Sequence, residues 1–167
     1  ALECVIVGAG VQGRAHARTV VDVLEGVREV LVTFVSRSKP ADLQHPWVEA
    51  ASADADEVLG RAGLVVVATS AGGPVVVDRQ LRSDATVLAV GAHTVDTREL
   101  HEDVLRGAQV IVEDVEAARR EAGDVAIAVE KGALAWEDVA TMAEVVRGDV
   151  ALDPARRVVF KTVGMPW

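Results

Sequence analysis

Apolar positions along this chain come in short, nearly unbroken runs, separated by stretches with helical spacing. Leu2 to Val7, Glu29 to Ser36 (EVLVTFVS), Ala62 to Thr69 (AGLVVVAT), Ala85 to Gly91 (ATVLAVG), Ala108 to Asp114 (AQVIVED) and Arg157 to Val163 each read as a strand. Runs that are apolar at successive positions are buried on both faces, which predicts a parallel sheet between layers of helix rather than an open antiparallel sheet. Between them, Val11 to Leu24 puts Val11, Ala15, Val20, Val21 and Leu24 on a buried helical face. Pro46 to Leu59, Thr97 to Arg106, Val115 to Ala122 and Trp136 to Val146 are also predicted helical, with Trp47 and Trp136 opening their segments as core anchors. In Ala71 to Leu81, Gly72-Gly73-Pro74 interrupts regular structure, and Val75-Val76-Val77 reads as a short strand or a buried loop. No internal repeat, low-complexity stretch or polar linker divides the chain, so residues 1–167 are expected to form one domain.

The junction of the first strand and first helix carries the most specific chemistry. Gly8-Ala9-Gly10-Val11-Gln12-Gly13 is a G-x-G-x-x-G sequence placed where a strand ends and a helix begins. Gly8 permits the tight turn, Gly10 lets backbone approach a pyrophosphate, and Gly13 lets helix and strand pack closely, while the helix N-terminus offers N–H donors to the anion through Val11 and Gln12. Together with the alternation of strands and helices, this predicts an α/β, Rossmann-like, doubly wound, mostly parallel sheet with helices on both faces and a dinucleotide-binding crevice.

Composition narrows the classes of function. With 50% hydrophobic and 26% charged residues, the chain is that of a globular domain with a proper core. No apolar stretch is long enough to span a membrane, and the N-terminus lacks the pattern of a signal peptide, so the expected compartment is the cytoplasm. The net charge of -9 and the absence of clustered Lys and Arg argue against a nucleic-acid partner. Such a charge does not exclude an anionic nucleotide, because distant charges are screened and a local helix terminus with one Arg decides the matter. The single cysteine, Cys4, lies in the first strand and reads as a small core residue, not a nucleophile. His16, His45 and His101 form no metal-spaced group with it, and no metal site is expected.

Cofactor choice rests on the end of the second strand. An acidic residue there would bond the ribose 2′-hydroxyl of NAD, whereas Ser36-Arg37-Ser38 suits the 2′-phosphate of NADP through a charge-assisted fork and two hydroxyls. NADP(H) is therefore favoured, with NAD(H) possible if Arg37 only stacks on adenine. Two further strand ends, Thr69-Ser70 and Gly91-Ala92-His93-Thr94, should line the same crevice. Thr69 and Ser70 either bond ribose or pyrophosphate or simply cap a turn. His93 is the one histidine at a strand end in the cleft, and its imidazole is the candidate catalytic group beside the nicotinamide, against a plain hydrogen-bonded role. Glu113, Asp114 and Glu116 look like helix-start acids, and Gly123 and Asp124 like a helix stop followed by an N-cap.

GAGVQGRAHA, ATSAGGPVV, VGAHTVDTREL, VEDVEAARREAGD and the terminal VVFKTVG, in this order, resemble the ornithine cyclodeaminase and mu-crystallin family, which includes alanine dehydrogenases and ketimine reductases. The resemblance covers nearly the whole chain. It implies NAD(P)-dependent hydride transfer between nicotinamide C4 and the α-carbon of a small amino or imino acid. By motif position, Gly8 to Gly13 would hold the pyrophosphate, Arg37 and its neighbours the adenosine end, and Val163-Gly164 the nicotinamide. True ornithine cyclodeaminases have Gly-Gly-Asp where this chain has Gly91-Ala92-His93, which favours the reductase and dehydrogenase members. Family members also carry an upstream half that binds the substrate carboxylate and forms a homodimer interface, and a further helix downstream. The 167 residues are thus expected to be the excised or truncated nucleotide-binding half, retaining cofactor binding without turnover. A non-catalytic nucleotide-binding or sensor module, a true ornithine cyclodeaminase, and the regulatory domain of a transport protein remain the alternative readings; Gly91-Ala92-His93 counts against the second and Ser36-Arg37 against the third.

Overall fold

The fold is that of a computed structural model that describes residues 1–164. Eight strands form one sheet: β1 (Leu2–Val7), β2 (Val30–Ser36), β3 (Trp47–Glu49), β4 (Leu64–Val67), β5 (Thr86–Ala89), β6 (Gln109–Val112), β7 (Ala140–Thr141) and β8 (Val158–Lys161). Their order is β3-β2-β1-β4-β5-β8-β6-β7, and every paired neighbour is parallel. From β1 the chain builds outward through β2 and β3, then returns to place β4 on the other flank of β1. The reversal between β1 and β4 is the point at which a doubly wound sheet opens a crevice beyond its carboxyl ends.

The six predicted strands are present, most of them a residue or two shorter at their ends. Their burial follows the two-sided pattern. In β1, Cys4 and Ile6 face a core with Ala17 of α1 (Val11–Leu24) and Phe34, while Val5 and Val7 face a larger core with Leu59 of α2 (Ala53–Arg61). That second core also takes in Val104 and Leu105 of α3 (Glu102–Leu105), Ala118 of α4 (Val115–Glu121), and Val125 and Ala128 of α5 (Gly123–Glu130). The architecture is Rossmann-like, with helices on both faces. Cys4 is fully buried, and burial pushes its thiol up to about 12, so it sits in the core as an inert small residue.

Several segments depart from the sequence reading. Trp47 does not open a helix. It pairs with Phe34 as the start of edge strand β3, and the helix that follows begins after Ser52, whose hydroxyl accepts from Ala55 N at 3.3 Å. Three residues of strand are too short to leave an alternation signal. Within Thr97 to Arg106 only α3 is helical, because the preceding residues run extended and meet Val76 in an isolated parallel bridge at Leu100. Val75 to Val77 is accordingly neither a full strand nor a buried loop: Val76 alone is buried at the bridge, Val75 is exposed and Val77 is half-buried, and the segment leads to a 3₁₀ turn at Asp78–Gln80. Trp136 to Val146 divides into a 3₁₀ turn (Trp136–Asp138), β7 and α6 (Met142–Arg147). Trp136 is half-buried, with the Arg119 guanidinium 4.5 Å from its ring centroid.

Candidate functional site

The carboxyl ends of β1, β2 and β4 enclose a groove of about 900 Å³. Its centre is the glycine turn. Gly8 has φ +103, a conformation glycine adopts without the strain a side chain would bring, and a Cβ there would strike the Ala68 carbonyl. Gly13 lies beneath the groove, where a Cβ would collide with the Gly8 carbonyl oxygen, so helix α1 approaches the turn as closely as glycine allows. Around Gly10, by contrast, a Cβ would meet nothing within 4 Å. Gly10 caps α1 without a side-chain hydrogen bond, which leaves the N–H groups of the first helical turn facing open space. Val11 and Gln12 sit on that first turn and line the groove.

One wall of the groove is the loop after β2. Ser36, Arg37 and Ser38 all line it, as expected, but the two serines are not equivalent. Ser36 Oγ donates to Ser38 O at 2.8 Å and accepts from Trp47 Nε1 at 2.9 Å, so its proton holds the loop and is not free to reach a phosphate. Arg37 is exposed and has no ion-pair partner among the described residues. Behind the loop, Arg14 ties it to the glycine turn: its Nε donates to Ala9 O at 3.0 Å and its two terminal nitrogens grip Asp42 at 2.6 and 2.9 Å.

Thr69 and Ser70, after β4, line the opposite wall. Thr69 does more than cap a turn. Its backbone N–H and its hydroxyl both donate to Glu99 Oε1, at 2.6 and 2.7 Å. The other oxygen of Glu99 accepts from Gly91 N at 2.6 Å and Ala92 N at 3.2 Å, after β5. Gly91 is glycine because a Cβ would overlap both the Thr69 carbonyl and this carboxylate. Neither Gly91 nor His93 reaches the groove; they lie beyond it at the end of β5, with His93 exposed. His93 Nδ1 is 3.0 Å from Gly91 O, and since a carbonyl only accepts, Nδ1 carries the proton and Nε2 is left with the lone pair in the neutral ring. Val163 and Gly164 follow β8, also outside the groove. Val163 N donates to Glu113 Oε2 at 3.3 Å, and Gly164 has φ +77.

The acidic residues near β6 part ways. Asp114 is the N-cap of α4, accepting from Ala117 N at 2.7 Å, as its position suggested. Glu113 instead accepts from Thr162 Oγ1 at 2.7 Å, bracing the end of β8. Gly123 does not stop a helix: it begins α5, where a Cβ would strike the Thr97 carbonyl. Asp124 is no cap of its own helix either. Its carboxylate is buried, and Oδ1 accepts from Glu99 N and Leu100 N, both at 2.8 Å. Its Oδ2 lies 3.5 Å from Lys161 Nζ. Lys161 is itself 1% exposed and donates to Ala92 O and to Ala89 O, the latter at 3.3 Å. Burial pushes the Lys161 ammonium below its usual range, against the pull of Asp124 and Glu99, and pushes the Glu99 carboxyl above its own. Four donors converge on Glu99, so the arrangement is built for the ionised carboxylate. Sequence reasoning missed this trio. The available signal was Lys161 two positions after Val159 at the end of an apolar strand, on the face that the strand buries.

No group of three or more potential metal ligands is gathered among the described residues, and none of their helices is long and apolar enough to cross a membrane. Comparison with known proteins agrees with the geometry. The family model for the ornithine cyclodeaminase/mu-crystallin family matches residues 1–167. A Delta(1)-pyrroline-2-carboxylate reductase of Burkholderia ambifaria is 30% identical over 165 residues, 97% of this chain and 51% of that protein. The ketimine reductase mu-crystallin of Mus musculus is 31% identical over 163 residues, 96% of this chain and 50% of its own length. Among solved structures, Thermococcus litoralis Delta(1)-pyrroline-2-carboxylate reductase in complex with NADH and L-proline superposes with a TM-score of 0.83 at 26% identity, covering 98% of this chain and 53% of that one. The chain thus spans about half the length of the curated relatives it matches along its whole extent. With its glycine turn, its parallel sheet and a match along its whole length, this chain belongs to the ornithine cyclodeaminase/mu-crystallin family.

Proposed function

We propose that this chain is the nucleotide-binding half of an NAD(P)-dependent oxidoreductase acting at the α-carbon of a small amino or imino acid, of the ketimine-reductase kind. The observation that carries this reading is the open space before Gly10, at an uncapped helix N-terminus where the strand order reverses. A pyrophosphate fits there with no side chain in its way. Gly8, Gly10, Val11 and Gln12 would meet it through backbone, with Gly13 keeping the helix close. Ser36, Arg37 and Ser38 would hold the adenosine end, Arg37 by a charge-assisted fork and Ser38 by its hydroxyl, while Ser36 keeps the loop in place. Across the reversal, Thr69, Ser70, Gly91, Val163 and Gly164 would border the nicotinamide side.

Bound there, the nicotinamide would supply a hydride to an imine carbon or take one from an amino acid. The chain's own contribution is then orientation and a proton. His93 offers Nε2 at the end of β5, with Nδ1–H tied to Gly91 O, so the neutral ring would accept a proton from the substrate nitrogen and the protonated ring would return one. Relatives of known activity support this substrate class, being pyrroline-2-carboxylate and ketimine reductases. The unengaged Arg37, in a Ser36-Arg37-Ser38 segment that carries no acid, favours NADP(H) over NAD(H).

Calorimetric titration with NADPH and with NADH at matched salt tests the reading. NADPH is expected to bind more tightly, and Arg37→Ala to remove most of that preference, about tenfold or more for a lost charge-assisted bond. Equal affinity of the wild-type chain for both cofactors would overturn the role given to Arg37. Binding of neither would overturn the cofactor site.

A further inference from the structure

We propose that Glu99 is a positioning residue for the nicotinamide side of the groove, holding the turns after β4 and β5 in one fixed relation. The inference rests on reading the groove as a cofactor site and adds a residue that does not itself line the groove but holds residues that do.

Four donors from two different strand ends meet on this one carboxylate: Thr69 N, Thr69 Oγ1, Gly91 N and Ala92 N. The backbone of Glu99 extends the same tie. Its carbonyl accepts from Val75 N at 2.7 Å, and Val75 lines the groove. Its own N–H is held by Asp124. Lys161 then binds the acceptors that Glu99 cannot, the carbonyls of Ala89 and Ala92. In the Gly91-Ala92 turn both N–H groups therefore go to a carboxylate, the Ala92 carbonyl to an ammonium and the Gly91 carbonyl to His93. A turn with every donor and acceptor held by side chains has little freedom to move, and His93 hangs from it.

Stability alone is a poor reason for this arrangement. Buried ion pairs are commonly matched or bettered by apolar residues of the same volume, because desolvation offsets much of their attraction. Apolar residues could not, however, bind four N–H and O–H donors that no strand pairs. The sequence also gives up a side chain at Gly91, where a Cβ would overlap Glu99 Oε1, so backbone and carboxylate meet without an intervening group. What the trio supplies is a fixed placement of Thr69 and of the Gly91 to His93 turn before any ligand arrives, which is what orientation of reacting groups requires.

Glu99→Gln tests this with two ligands, NADPH and ADP, titrated calorimetrically into wild type and variant. The amide keeps the size but turns one oxygen into a donor facing two other donors, so one of the two turns loses its anchor. NADPH affinity is expected to fall about tenfold or more, while ADP, which lacks the nicotinamide half, changes by less than about twofold. An equal loss for both ligands marks a general structural role and overturns the inference, as does unchanged NADPH affinity. A wild-type chain that binds neither ligand overturns the cofactor reading and this inference with it. Should the variant not fold, amide exchange of the wild type decides. Thr69, Gly91 and Ala92 N–H groups that exchange as slowly as those of β5 without cofactor support the positioning role, and exchange at exposed-loop rates overturns it.

Discussion

Glycines at the turn act through what a Cβ would strike, and each one makes a different demand. Gly8 needs its positive φ, Gly13 needs closeness to the Gly8 carbonyl, and Gly10 leaves space that a ligand can enter. Gly13→Ala is therefore expected to push α1 off the turn, destabilising the chain by about 1–3 kcal/mol as an overpacked site, and to weaken NADPH binding. Urea unfolding together with cofactor titration checks both parts; a variant as stable as wild type would show that the helix can shift without cost. Charged residues at the same scale divide by their surroundings. Arg37 stands exposed with no ion-pair partner among the described residues, whereas Lys161 is enclosed and holds two backbone carbonyls.

At the scale of elements, the short helix α3 is held by charge more than by length. Four residues cannot sustain a helix by propagation alone. His101 caps it, and Glu102 joins Arg98 before it to Lys131, at the end of α5, the latter at 3.1 Å. Its own backbone N–H first, and then Arg98 and Lys131, outweigh burial and hold the Glu102 carboxyl down to about 2. A carboxyl depressed in the folded state contributes stability above its ordinary pKa, and that contribution is lost as pH falls from about 4.5 through about 2. Glu102→Gln should accordingly be less stable than wild type at neutral pH, with the difference shrinking as pH falls through that window. Denaturant midpoints collected from pH 7 to about pH 2 would show it, and a difference that stays constant with pH would contradict it.

The whole molecule places both halves of the groove on a single sheet. β1, β2 and β3 support the glycine turn and the Arg37 loop, β4 supports Thr69 and Ser70 on the opposite wall, and β5 and β8 carry Gly91 and Val163 beyond the groove. Ligand held across both halves must then stabilise the sheet as a unit. NADPH at about 100 times its dissociation constant is expected to add about 2.7 kcal/mol to unfolding, read as a rise in Tm that grows with ligand concentration. A Tm that ignores NADPH would mean that no such bridging occurs.

By itself the sequence determined the strand-and-helix alternation, the parallel two-sided sheet and the glycine turn, because each is a local demand. An apolar run records burial on both faces, and Gly8-Ala9-Gly10-Val11-Gln12-Gly13 records where backbone must turn and approach. Asp114 as an N-cap was legible for the same reason, since a cap bonds to residues within its own helix. Only the tertiary structure decided what Glu99, Asp124 and Lys161 do. In sequence they are an acid beside Arg98, an acid after a glycine and a basic strand end, and their meaning lies in which strand ends the topology brings together. Trp47 and Ser36 teach the same lesson on a smaller scale: the indole N–H reaches a hydroxyl eleven residues away only because β3 adds to the edge of β2. Local patterns state how much of a segment is buried, but the partner of a buried polar group is chosen by the fold that surrounds it.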